Sequence, residues 1–191
     1  MFEYIEGDLV KANVQALVNP VNCSGVAEKG LSTQFKKAFP DNFHFYENCC
    51  KKHRPFIDGD SSIAAPPALR SSHRMHGGDR SNPTDMVRLG QMLVFDMDGK
   101  TGPRYIINFP VKEDWRSKTT MADIDDGLAA LVAEVERRGI TSLAIPPLGC
   151  GHDGLKWSEV RPKIEKAFAH LPDVRILIYA TSGAQQEAAN P

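Results

Sequence analysis

The sequence carries almost no excess of either charge: 23 Lys and Arg stand against 24 Asp and Glu, for a formal net charge of -1 at pH 7. No molecule-wide field therefore marks a nucleic acid or an anionic membrane as the partner, and charge has to be read locally. Cysteine is scarce. Four thiols, Cys23, Cys49, Cys50 and Cys150, two of them adjacent, do not make a disulfide framework, which points to a reducing, cytoplasmic compartment. Long apolar runs are missing too, and the chain opens on FEYIEGD without a basic-then-apolar leader, so no membrane span and no signal segment are expected. Metal ligation finds little support. Cys49, Cys50 and His53, followed by His73 and His76, do not match a recognised zinc spacing, because adjacent cysteines ligate one ion awkwardly. No metal and no cofactor are expected.

What is present is enough apolar residue for one core: 41% hydrophobic content over 191 residues, with nothing to suggest a second. A single unit over residues 1–180 and a polar tail over 181–191 are expected. Phe2 to Ile5 and Ala16 to Asn19 read as strands, followed by NPVNCSGVAEKG, a loop that Pro20 and its glycines keep from being a helix. Leu31 to Phe39 reads as a helix ended by Pro40, and Asp41 is placed to cap a second one reaching about Lys52. Met92 to Phe95 and Tyr105 to Asn108 form a hairpin around Asp98, Gly99 and Lys100. Ala122 to Arg138 has the clearest helical stripe, Ile124, Leu128, Leu131, Val132 and Val135, and Gly139 stops it. Ser142 to Ile145 and Arg175 to Tyr179 are strands, with a helix between them capped by Ser158. These elements predict an α/β fold, a mixed central sheet covered by helices on both faces.

Two stretches stand apart. From His53 to Leu89 no period survives, and a long loop or disordered insertion is expected. Lys51 to Arg88 holds seven Lys or Arg against four Asp, a local basic excess of three. The other stretch is IPPLGCGHDGLKW, Ile145 to Trp157. A short strand, a glycine-rich turn and a resuming helix bring backbone N–H groups and a positive helix end to one point, which suits a phosphate or diphosphate. GCGHDG also matches the GxGxxG dinucleotide fingerprint, but it comes late, follows two prolines, and the next strand ends YATSG with no acidic residue.

GDLVKANVQALVNPVNCSGVAEKGLSTQFKKAFP, RYIINFPVKEDW and IPPLGCGHDGLKW, taken together and in this order, resemble a macrodomain of the branch containing the DarG antitoxin and the human terminal ADP-ribose glycohydrolase. The resemblance covers the chain apart from the stretch around 53–89 and the tail. It implies a macrodomain-like three-layer sandwich and ADP-ribose as ligand and product. It also implies that Asp8 accepts from the adenine amino group, with Leu9 beside it, and that Asn22 sits by the distal ribose. Gly25, Val26, Lys29 and Gly30 would close over the ribose and diphosphate, and Gly149, Cys150, Gly151 and His152 would form the second phosphate loop. Lys112 and Asp153 occupy the places of the branch's catalytic pair.

The implied activity is removal of ADP-ribose from a modified substrate, thymidine in DNA or an acidic side chain of a protein, with a DarT-like toxin as a further expected partner if the chain acts as an antitoxin. The alternative is a non-catalytic reader of ADP-ribose. Local sequence alone gives plainer readings: Asp8 caps a turn, Asn19 and Asn22 brace their loop, Lys112 is a solvated strand-end lysine, and Cys23 and Cys150 are small buried thiols beside a cleft. Three departures from the branch stand out. Glu28 occupies a position where relatives usually have glycine. Glu113 and Asp114 follow Lys112 where DarG-like chains carry basic residues, which disfavours a DNA phosphate at that rim. Asp153 is present, as in the human enzyme.

Overall fold

The computed structural model describes residues 1–27, 30–51, 87–97, 102–151 and 154–179. Residues 52–86 with their basic excess, residues 98–101 where a hairpin turn is expected, residues 180–191, and Glu28, Lys29, His152 and Asp153 lie outside them. In chain order the elements are β1 (Phe2–Ile5), a 3-10 turn (Leu9–Lys11), β2 (Ala16–Asn22), α1 (Leu31–Ala38), α2 (Pro40–Lys51), β3 (Leu93–Asp96), β4 (Tyr105–Lys112), α3 (Met121–Arg138), β5 (Ser142–Ile145), α4 (Trp157–Ala167) and β6 (Arg175–Tyr179).

The strands form one six-stranded sheet in the order β1-β6-β5-β2-β4-β3. Every pairing is parallel except that of β3 with β4, the antiparallel edge. Strand alternation sends side chains to opposite faces. Ala16, Val18, Ile107, Leu143 and Ile176 join the apolar stripes of α3 and α4 in one core layer. Leu17, Ile106, Ala144 and Leu177 pack on the other face with Leu9 and Phe35 of α1, and Val21 and Leu93 meet Phe43 and Tyr46 of α2. Helices therefore cover both faces, as the sequence predicts. Val87, assigned from sequence to the irregular stretch, is buried in the α2 layer.

α3 begins with a capping box between Thr120 and Asp123 and ends on Gly139 in the left-handed conformation. Gly127, inside this helix, lets it lie directly on β4: a methyl group there would come 2.2 Å from Cζ of Phe109. At the amino end of the sheet, the Met1 ammonium donates to the carbonyls of Val174 and Pro172.

Several boundaries differ from the sequence reading. β2 and β4 do not stop at Asn19 and Asn108 but run through Pro20 and Pro110 to Asn22 and Lys112. β5 pairs with β2 only at Ala16 and Leu17, and β3 with β4 only over Tyr105 to Asn108. Beyond those points each strand has a partner on one side alone, where a residue without an N–H is tolerated. Pro40 opens α2 rather than only ending α1, as suits the first helical position. Ser158 does not cap α4. The helix starts two residues earlier, at Trp157, which is buried in the core, and Lys156 is the N-cap without a side-chain bond.

Candidate active site

The segments singled out from sequence all leave the carboxyl ends of parallel strands: Asp8 after β1, Cys23 to Gly30 after β2, Glu113 to Thr119 after β4, and Pro146 to Lys156 after β5. In an open α/β sheet that end is where ligands bind.

The β2 loop is organised by Asn22. Its Nδ2 donates to the Val26 carbonyl at 2.8 Å, and its Oδ1 accepts from the Ser24 N–H, the Ser24 hydroxyl and the Val26 N–H. Tyr46 of α2 donates its hydroxyl to the same residue, 2.7 Å from the Asn22 carbonyl and 2.9 Å from Oδ1. Burial, with the Cys50 thiol adjacent, pushes the Tyr46 phenol well above its ordinary value, so it stays a donor. The loop-bracing reading of Asn22 is thus the observed one. Gly25, at φ +79°, passes so close to α2 that a Cβ would lie 3.0 Å from Cβ of Cys50. Gly30, at φ +74°, leads into α1 with open space around its α-carbon.

Lys112 closes β4 opposite Asn22. The register shifts there, Val21 facing Pro110 but Asn22 facing Lys112, so Val111 is the extra residue of a bulge. The Cys23 N–H bridges the carbonyls of Lys112 and Glu113 at 3.1 and 3.0 Å, tying the β2 loop to this strand end. Lys112 is only 6% exposed, and its ammonium donates to the Trp115 carbonyl at 3.1 Å. It is therefore not the solvated strand-end lysine of the plain reading. Asp114 accepts from the Arg116 N–H at 2.9 Å in its own turn. Exposed Glu113 acts on Cys23, whose thiol is pushed up to about 11 mainly by burial and then by this carboxylate.

Asp8 shows its plain reading too. Its carboxylate accepts from the Val10 N–H and pairs with Lys11 at 3.2 Å, yet remains partly exposed. The Leu9 side chain belongs to the core. Tyr179, at the end of β6, lies close enough for the Asp8 charge to add to the burial that raises its phenol.

In the third wall Gly149 has φ +69°, and a Cβ there would come 2.8 Å from Leu155 Cδ1 and 3.0 Å from Thr119 Cγ2. The Cys150 N–H returns to the Pro147 carbonyl, while Gly151 is exposed. Thr119 is buried, and its hydroxyl has no hydrogen-bond partner. Lys29, His152 and Asp153 fall outside the described residues. Sequence reasoning gave no role to Tyr46, Trp115, Thr119 or Tyr179. Trp115 stands in the quoted VKEDW block, whereas the bond from Tyr46 to Asn22 spans 24 residues and left no local signal.

The Macro domain family model matches residues 57–164, beginning inside the stretch that the sequence reading had left out of the resemblance. The chain is 37% identical over 186 residues to the DNA ADP-ribosyl glycohydrolase of Mycobacterium tuberculosis, a match covering 97% of this chain and 44% of that protein. The solved macrodomain of Mycobacterium tuberculosis DarG superposes with a TM-score of 0.76 over 95% of this chain and 99% of that one. A DNA ADP-ribosyl transferase-DNA ADP-ribosyl glycohydrolase fusion protein of Thermosipho africanus is 30% identical over 175 residues, 92% of this chain and 40% of that protein. The human ADP-ribose glycohydrolase OARD1 is 30% identical over 103 residues, 54% of this chain and 64% of that protein. This chain thus spans less than half the length of the bacterial relatives. The glycine loops at the carboxyl ends of β2 and β5, the lysine at the end of β4, the family match and the superposition agree: the chain belongs to the Macro domain family.

Proposed function

We infer that this chain binds ADP-ribose across the carboxyl ends of β1, β2, β4 and β5 and releases it from ADP-ribosylated DNA, with Lys112 as nucleophile. The observation that carries the reading is the burial of the Lys112 side chain at the carboxyl end of β4, next to the strand end that carries the first glycine-rich loop. A lysine serving only solubility has no reason to be enclosed there. The names of the bacterial relatives, DNA ADP-ribosyl glycohydrolases, support DNA as the substrate class.

The proposed chemistry needs only side chains and water. A neutral Nζ bonds to C1″ of the distal ribose as the bond from C1″ to the substrate atom breaks, and that atom takes a proton by way of Asp153. The C1″–O4″ bond then breaks, O4″ taking a proton as Nζ gives one up, and C1″ and Nζ are left as an imine. Water then adds to C1″, the carbon–nitrogen bond breaks, and ADP-ribose and the amine are regenerated. Asp8 would accept from the adenine amine, and the loops around Gly25 to Gly30 and Gly149 to Gly151 would hold the diphosphate. A DarT-like partner, supported by the transferase joined to the glycohydrolase in the Thermosipho relative, and a cytoplasmic location belong to the same reading.

The test compares ADP-ribose release from thymidine-modified DNA, an acidic-side-chain ester on a peptide and O-acetyl-ADP-ribose. Lys112→Ala should abolish release while keeping much of the affinity for free ADP-ribose. Lys112→Arg should fail as well, because a guanidinium stays protonated. Asp153→Asn should lower turnover by about 10² to 10⁴. Full turnover by Lys112→Ala refutes the nucleophile, and ADP-ribose binding without turnover of any of the three by the wild type leaves a reader.

A further inference from the structure

Beside the buried lysine the surface carries a large ring that the core does not cover. Trp115 is 41% exposed, and with Met1, Tyr4 and Val26 it is one of the few exposed large apolar side chains among the described residues. Its position is fixed from three directions. Asp114 and Ser117 close a turn with a 3.0 Å backbone bond, the Asp114 carboxylate takes the Arg116 N–H, and Trp115 gives its own carbonyl to Lys112 Nζ. Trp115 and Arg116 are the two central residues of that turn. The Arg116 guanidinium lies 4.5 Å from the indole centroid, covering one face and setting a cation beside the ring.

A rigidly held aromatic with an adjacent cation is what a single strand of nucleic acid requires: a π-face for a base and a charge for its phosphate. Glu113 and Asp114 are expected to disfavour a DNA phosphate at this rim; the Asp114 carboxylate is engaged by the Arg116 N–H, and the Arg116 guanidinium supplies the opposite charge beside the ring. We propose that Trp115 is a stacking platform for a nucleobase neighbouring the modified nucleotide, with Arg116 meeting the intervening phosphate, so that the chain reads single-stranded DNA around its target. This rests on the DNA-directed reading of the Lys112 site given above. The platform is one carbonyl away from Nζ, so a base stacked there belongs to the nucleotide next to the one whose ADP-ribose enters the cleft.

The experiment uses single-stranded oligonucleotides with one ADP-ribosylated thymidine, flanked either by ordinary bases or by abasic sites. The wild type should favour the base-flanked substrate in kcat/KM by about 5- to 150-fold, the range that one base–aromatic stack provides. In Trp115→Ala this ratio should fall close to one, and Trp115→Phe should retain most of it, which separates stacking from general damage to the loop. An unmodified oligonucleotide should quench indole fluorescence in the wild type and leave Trp115→Phe unchanged. A Trp115→Ala variant that keeps the wild-type ratio overturns the platform. If the wild type releases nothing from DNA, the substrate reading fails, and absence of quenching by the unmodified strand then overturns the platform on its own. If Trp115→Ala instead slows only release from the peptide ester, the surface serves a protein and the DNA assignment is overturned.

Discussion

Two thiols, Cys23 in the β2 loop and Cys50 of α2, show how burial becomes a measurable property. Cys23 is held protonated up to about 11 and Cys50 up to about 12, in both cases chiefly because burial penalises the thiolate. In the unfolded chain each loses its proton near the ordinary value of 9.0. Between 9.0 and the native values the unfolded state binds fewer protons, so the contribution is fully present below about pH 9 and is lost as pH rises through 11 to 12. The urea midpoint should therefore fall from about pH 9 to about 12, and Cys23→Ala with Cys50→Ala should flatten that fall. An equally steep decline in the double variant would place the titration elsewhere. The same values argue against either thiol being a nucleophile near neutral pH, in keeping with their reading from sequence as small buried groups.

At the level of elements, the contact between α3 and β4 places the strand that ends in Lys112. Gly127→Ala should gain about 1 kcal/mol of helix propensity but drive a methyl group into the Phe109 ring, 2.2 Å away. Overpacking costs about 1–3 kcal/mol and more where the backbone must shift, so a net loss in denaturation midpoint is expected. Trimming the ring with Phe109→Leu in the same chain should recover part of it. An unchanged midpoint in the single variant would mean that α3 is free to slide on β4.

This scale also shows what could be read without coordinates. β5 and β6 have the bounds the sequence suggested, because β-branched, apolar runs such as RILIY announce themselves locally. β2 and β4 were cut short at prolines because nothing in NPVN or NFPVK says that the neighbouring strands have already ended; that is a property of the sheet. The glycine loops were legible from their residues, and their convergence followed from strand order. The bonds of Tyr46 to Asn22 depend on elements far apart in sequence, whereas Trp115 is held by residues within three positions of it and was missed because its exposure is a property of the folded surface.

For the molecule as a whole, the proposed site draws on the ends of four strands, so its ligand should stabilise the native state alone. ADP-ribose should raise the Tm, and by more than AMP at matched multiples above their affinities, since only ADP-ribose reaches both glycine loops. Equal shifts measured by differential scanning fluorimetry would remove the diphosphate and distal ribose from the proposed contacts.

The hydrogen bonds of the Met1 ammonium to Pro172 and Val174 fix the start of the chain at the amino end of the sheet, whereas β6 delivers Tyr179 to the carboxyl end, beside Asp8. The two directions of attachment are not equivalent. A domain tethered ahead of Met1 would have to travel the length of the strands before reaching the cleft. One tethered after Tyr179 would start from the strand ends of the proposed site, where a short linker gives a high effective concentration over a substrate held there.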